Sequence, residues 1–243
     1  MNRHFFSIVL TSTFAVAAGC GSSAVGERVE STGTGELSLP SRPCTPSNTS
    51  MAPADGLIAD FADGGGIEIP GRIVTYAGRK VGGPSSPTYT TTGGALTITV
   101  NVSPTSKPQF LGTVVGFDKC VDASAFSGVQ FTINGSFSGC QMQYATGDVS
   151  HQDATLGSPF ASGAPGSYPP QFRIAPDDLT STPRTIKAPF ASPDIQGNPA
   201  AALDPTKLIF TLWQFTVPVA PEDDGGIEMC TGSVTIDNVR LYR

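Results

Sequence analysis

The chain has 243 residues, of which only 14% are charged, and its 20 acidic residues outnumber its 14 Lys and Arg for a net charge of −6. The 28 glycines and 21 prolines exclude a helical bundle or coiled coil, and the acidic balance excludes a basic nucleic-acid binder. With 39% hydrophobic residues the chain can build a packed core, and its length suits one large β-rich domain.

At the N-terminus, Arg3 precedes an uncharged, mostly apolar run from Phe5 to Ala18. That run is too short to span a bilayer as a helix and has the character of a signal-peptide core. It ends in Val16-Ala17-Ala18-Gly19-Cys20. Small residues before a cysteine resemble the bacterial lipobox, which implies that residues 1–19 are removed and that Cys20 carries lipid. Gly21, rather than aspartate, follows the cysteine, and in this class that implies an outer-membrane or cell-surface location. No later apolar stretch approaches the ~20 residues of a spanning helix, so membrane attachment is expected through Cys20 alone. Residues 20–53 read as the lipidated cysteine and a Gly/Ser/Thr/Pro-rich tether, too poor in apolar residues to offset its ordering entropy.

Residues 54–243 read as one all-β, jelly-roll sandwich of about ten antiparallel strands. Strands are expected near Leu57–Phe61, Ile73–Ala77, Leu96–Val100, Val114–Phe117, Val129–Ile133, Cys140–Ala145, Phe172–Ile174, Thr185–Ala188, Leu208–Val217 and Ser233–Tyr242. Gly93-Gly94 lies between two β-prone runs, as in a two-residue hairpin. In the last segment Val234 and Ile236 share one parity and Val239 and Leu241 the other, so a β-bulge at Asp237-Asn238 is expected to return both pairs to the core.

Cys44, Cys120, Cys140 and Cys230 remain after Cys20. An even number in an exported chain, with no C-x-x-C pair, points to disulfides rather than a zinc site. Four cysteines allow three connectivities. The favoured one joins Cys140 to Cys230, which both flank expected strands, and leaves Cys44 with Cys120.

Three segments carry a family likeness: Leu57-Ile58-Ala59-Asp60-Phe61-Ala62-Asp63-Gly64, the run from Val121 to Phe131 with Asp122, Ser124 and Gly128, and Thr235-Ile236-Asp237-Asn238-Val239-Arg240-Leu241-Tyr242. Together they resemble the galactose-binding-like jelly rolls that include family-eleven carbohydrate-binding modules and complex I intermediate-associated proteins. The resemblance implies a sheet face that binds polysaccharide and a structural calcium joining the first and last strands. Asp60, Asp63 and Asp237 would contribute oxygen ligands to that ion. The alternative is that Asp60 and Asp63 shape a turn and Asp237 the bulge.

Sugar-binding faces combine aromatic rings with amides and charged groups that bond hydroxyls. Gln141 and Gln143 share a face opposite Met142 and Tyr144, and Arg173 opposes Phe172 and Ile174. Gln214 is expected on the same groove, and Trp213 is either a platform or a core residue in an apolar segment. Tyr76, Tyr89 and Tyr168 are further candidate rings, the last two in Pro/Gly-rich loops. Catalysis is not expected. His151 is the single histidine after the signal peptide, no Gly-x-Ser-x-Gly elbow occurs, and the acidic cluster Glu222-Asp223-Asp224 reads as a solvated turn. The sequence thus describes a noncatalytic lipoprotein that binds a polysaccharide or cell-envelope glycan; the alternatives are a structural or adhesive envelope protein that meets protein partners and, third, a polysaccharide-degrading enzyme.

Overall fold

The computed structural model describes residues 44–62, 67–78, 80–81, 85–151, 169–192, 202–220 and 228–243. The expected signal peptide, Cys20 and Asp63 lie outside them. Among the described residues there are thirteen strands and only single-turn helices. The strands are β1 (Thr49–Met51), β2 (Leu57–Ala59), β3 (Gly71–Ala77), β4 (Lys80–Val81), β5 (Thr88–Thr92), β6 (Ala95–Val102) and β7 (Gln109–Asp122). They continue as β8 (Gly128–Ser138), β9 (Gln141–Asp148), β10 (Gln171–Ile174), β11 (Arg184–Pro189), β12 (Leu208–Val217) and β13 (Cys230–Tyr242).

Two sheets form the sandwich. One has seven strands, in the order β10-β9-β12-β7-β3-β4, with β1 added in parallel to the end of β7. The other has six, in the order β11-β8-β13-β6-β5, with β2 added to β13. The six-stranded sheet shows the alternation of an antiparallel sheet with one wet face. In β6, for example, Leu96, Ile98, Val100 and Val102 are buried while Thr99 and Asn101 are exposed.

β12 is different: nine of its ten residues are buried, because it lies between β9 and β7 and both faces of the sheet are covered there. Between the sheets, Trp213 of β12 meets Phe131 of β8 edge-on at 5.5 Å, and Tyr144 of β9 lies 4.8 Å from Phe131. Phe215 and Phe137 form a second edge-to-face pair at 5.7 Å. Such pairs contribute about 0.5–1.5 kcal/mol each beyond their buried area. The Tyr144 hydroxyl is also satisfied inside the core, by Thr146 at 2.8 Å and by Thr211.

The Gly93-Gly94 hairpin joins β5 to β6, and both glycines take the positive φ that such a turn requires. The bulge in β13 falls between Asp237 and Arg240, with Asn238 in the left-handed region at φ 52°. It restores phase as expected: Val234, Ile236, Val239 and Leu241 are all buried. Asn tolerates this conformation better than most residues, because its short side chain bonds locally; here Asn238 Oδ1 accepts from Arg240 Nε.

The disulfides are Cys44–Cys120 and Cys140–Cys230. The second closes a sequence separation of 90 residues and ties the β8–β9 turn to the start of β13; bridges of this kind typically contribute about 2–4 kcal/mol. The first corrects the expected extent of the tether. Residues from Cys44 onward belong to the sandwich, with Thr49–Met51 paired to Cys120–Asp122. Backbone pairing and a cross-link hold this segment, neither of which depends on apolar side chains.

Two inward polar atoms, Thr113 Oγ1 and Trp213 Nε1, are buried without a hydrogen-bond partner, on residues that face each other across β7 and β12. An unmatched buried hydroxyl costs about 1–3 kcal/mol. Thr113→Val is therefore expected to raise stability by about 1 kcal/mol. An unchanged or lower urea midpoint would show that this hydroxyl is not a liability.

Candidate ligand-binding face

The side of the seven-stranded sheet that faces away from the six-stranded one is built in cross-strand rows. One row runs Arg173 (β10), Gln143 (β9), Gln214 (β12), Gly112 (β7), Tyr76 (β3), each opposite the next in register. Two residues along the strands lies the row Gln141, Thr216, Phe110. In the other direction lie Gln171, Ala145, Leu212, Val114 and Val74. The strand period of two places all three rows on one face.

Exposure falls steeply across these rows. Gln141 is exposed and the Phe110 ring is 46% exposed, whereas Gln143 and Gln214 retain 3% and 4% and Leu212 and Val114 are fully buried. The expected solvent-facing pair of glutamines is thus split: Gln141 meets solvent and Gln143 does not. Arg173 is exposed on the edge strand β10.

The buried row has its own bonding. Tyr76 Oη donates to Gln214 Oε1 at 2.7 Å. Burial pushes the phenol pKa well above its ordinary value, so Tyr76 remains a donor in alkaline solution. Gly112 makes room for this contact. A Cβ there would sit 2.4 Å from the Trp213 carbonyl oxygen and 3.0 Å from the Tyr76 ring. Gln143 Oε1, next in the row, is buried with no hydrogen-bond partner.

Several expected site residues lie elsewhere. Trp213 is not a platform: it points into the core at 0% exposure, since its neighbours Leu212 and Gln214 occupy the outward phase. Tyr89 is not in a loop but in β5, packed against the core with its hydroxyl 3.4 Å from the Ile73 carbonyl. Tyr168 and the Glu222–Asp224 cluster lie outside the described residues. Phe110, which the sequence reading missed, was detectable from parity, because β7 begins five residues before the segment read as strand and Val114 sets the outward phase.

Asp60 follows β2 and Asp237 precedes the β13 bulge, on strands that pair through Ala59 and Val239. Each carboxylate already holds a backbone N–H, of Ala62 at 3.0 Å and of Asn238 at 2.5 Å respectively. These two alone do not make a calcium cage, which takes six to eight oxygen ligands, and no group of three His, Cys, Asp or Glu suited to a metal occurs among the described residues. The three rows contain no carboxylate, whereas glycoside hydrolysis ordinarily uses a pair of them.

No family model matches the chain, and no curated protein sequence does. Among solved structures, the chain is similar to the family 11 carbohydrate-binding module of the cellulosomal cellulase Lic26A-Cel5E of Clostridium thermocellum. Identity is 17% and the TM-score 0.43, over 76% of this chain and 92% of that one. A second structure of a Clostridium thermocellum family 11 module, in complex with a β-1,3-1,4-mixed-linked tetrasaccharide, gives 16% and 0.43, over 77% and 94%. The N-terminal cellulose-binding domain of Cellulomonas fimi β-1,4-glucanase C gives 15% and 0.30, over 70% and 86%.

Tyr76→Phe should leave the Gln214 acceptor buried and unpaired, lowering stability by about 1–3 kcal/mol. Gly112→Ala should also destabilise, through overpacking by about 1–3 kcal/mol. Urea unfolding of both variants with unchanged midpoints would show that the Tyr76–Gln214 contact does not order this face.

Proposed function

We propose that the protein is a noncatalytic, exported lipoprotein, anchored through Cys20, whose β-sandwich holds a polysaccharide on the outward face of its seven-stranded sheet. The observation that carries the reading is that exposed Gln141 and Arg173 and the half-exposed Phe110 share one sheet face, laid over and beside the buried amides of Gln143 and Gln214. Amides and a guanidinium bond sugar hydroxyls, and a phenyl ring covers the C–H surface of a pyranose. All five residues stand on paired strands, so little ordering entropy is lost when a ligand docks. Two disulfides agree with an oxidising compartment outside the cytoplasm.

Affinity electrophoresis of the lipid-free chain from Gly21 onward, on gels containing neutral and acidic polysaccharides, tests this reading. Mixed-linkage β-glucan is a suitable first polymer. Retention is expected on at least one polymer, with a loss of about tenfold or more in the Gln141→Ala, Gln143→Ala, Arg173→Ala triple variant. Retention unchanged in that variant would remove the face; no retention on any polymer would leave the adhesive reading.

A calcium ion between the first and last strands belongs to the proposal, with Asp60, Asp63 and Asp237 as carboxylate ligands and backbone carbonyls completing the set. EDTA should then lower the Tm and added Ca²⁺ restore it, because binding to the folded state alone stabilises it. A Tm indifferent to both would eliminate the ion.

A further inference from the structure

Arg173 is the only charged residue in the three rows, and it has no ion-pair partner among the described residues. The next acidic residue in the outward phase of β7, Asp118, lies eight positions from Phe110, about 26 Å along the strand. The protein as a whole is acidic, with a net charge of −6 and a sequence pI near 4.8. The exposed Arg173 guanidinium is therefore the one charge within these rows of an acidic protein; the next cation on the face, exposed Arg72, lies one row beyond Val74, opposite Gly116. Beside Arg173 and directly opposite it in register, Gln143 carries a buried, unpartnered Oε1. That atom accepts hydrogen bonds and cannot donate, so it suits a ligand hydroxyl, while the guanidinium suits an anion.

We infer that the ligand of this face is an acidic, uronate-containing polysaccharide, with a carboxylate on Arg173 and a sugar ring on Phe110. The inference rests on the polysaccharide reading above and gives it a substrate class. A planar carboxylate matches the two parallel N–H groups of a guanidinium. Arg173 on β10 and Phe110 on β7 are three strand spacings and two residues apart, about 16 Å, so a short run of sugar rings laid obliquely across the strands reaches both. Gln141 and Thr216 lie between them along the exposed row.

The test compares four probes with the lipid-free chain: polygalacturonate, the same polymer methyl-esterified, dextran sulfate and mixed-linkage β-glucan. Retention should be strongest on polygalacturonate, weaker by about tenfold once its carboxylates are esterified, and reduced by raising salt from about 50 to about 500 mM. Arg173→Gln should lose about tenfold on polygalacturonate, and Arg173→Lys should fall between, since an ammonium is a point charge without the fork. Arg173 is exposed on an edge strand, so thermal melts of both variants should match the parent and certify their folding. Equal retention on the acid and ester forms, or an unaffected Arg173→Gln variant, would overturn the inference. Preference for dextran sulfate would replace the carboxylate by a sulfate and equally overturn it. Retention on β-glucan alone would sink the acidic ligand while sparing the polysaccharide reading; no retention anywhere would sink both.

Discussion

The phase of β12 is the constraint on which the rest of the face depends. A strand turns successive side chains to opposite sides, so one residue of slip would exchange its two faces completely. Trp213 fixes that phase. Its ring packs edge-on against Phe131 and tilted against Tyr144, between the sheets. Once Trp213 points inward, Gln214 and Leu212 must point outward. Register with β9 and β7 then sets Gln143 and Gly112 on either side of Gln214. The polar row is thus a consequence of hydrophobic packing on the reverse side of the same strand. The bulge between Leu208 and Phe210 ends this control: Leu208 joins the inter-sheet core, whereas Ile209 and Phe210 both join the outer cluster.

The two sheets solve the problem of their outer faces differently. On the six-stranded sheet, Thr97 faces Thr235 at 3.2 Å and Thr99 faces Ser233 at 3.3 Å, and solvent satisfies what these pairs leave over. On the seven-stranded sheet the centre of the outer face is buried, so each polar group there needs a partner or carries a cost. Tyr76 and Gln214 meet that demand with one another. Gln143, which stands in register between the bonded pair and the exposed arginine, leaves its acceptor unmatched. Native cores keep few such groups, and those they keep are concentrated where something other than stability is selected.

The sandwich was legible because its signals are local. Alternation in β8, the Gly93-Gly94 turn and the parity break at Asp237-Asn238 each follow from a few consecutive residues and backbone sterics. The Cys140–Cys230 bridge followed from the position of both cysteines beside strands, and Cys44–Cys120 was the pair that remained. What could not be read were features set at a distance. Cys44 and Thr49–Met51 look like linker, and only the bond to Cys120 and pairing with β7 bring them into the fold. Gln143 and Gln141 are alike in parity and chemistry, yet one is buried and the other exposed, because cover depends on tertiary packing. Tyr89 was placed in a loop by its Pro and Gly neighbours, whereas its ring in fact packs against the core from β5.

A face carried on strands discriminates among ligands in a way that loops do not. Neighbouring strands stand about 4.8 Å apart and outward residues of one strand about 6.8 Å apart, so groups on the face form a fixed grid. Loops adapt to a ligand at the cost of ordering entropy; a grid accepts whichever ligand already presents groups at compatible intervals. Here the grid offers hydrogen-bonding amides in the middle, a ring at one side and a cation at the other. Removing the ring or the cation deletes a different recognition element while the grid persists, because neither Phe110 nor Arg173 belongs to the inter-sheet core. The amides differ: Gln214 is bonded to Tyr76 within a buried row, so changing it disturbs packing as well as recognition. Affinity and stability are therefore coupled at the centre of the face and separable at its margins, where the ligand's chemical identity is read.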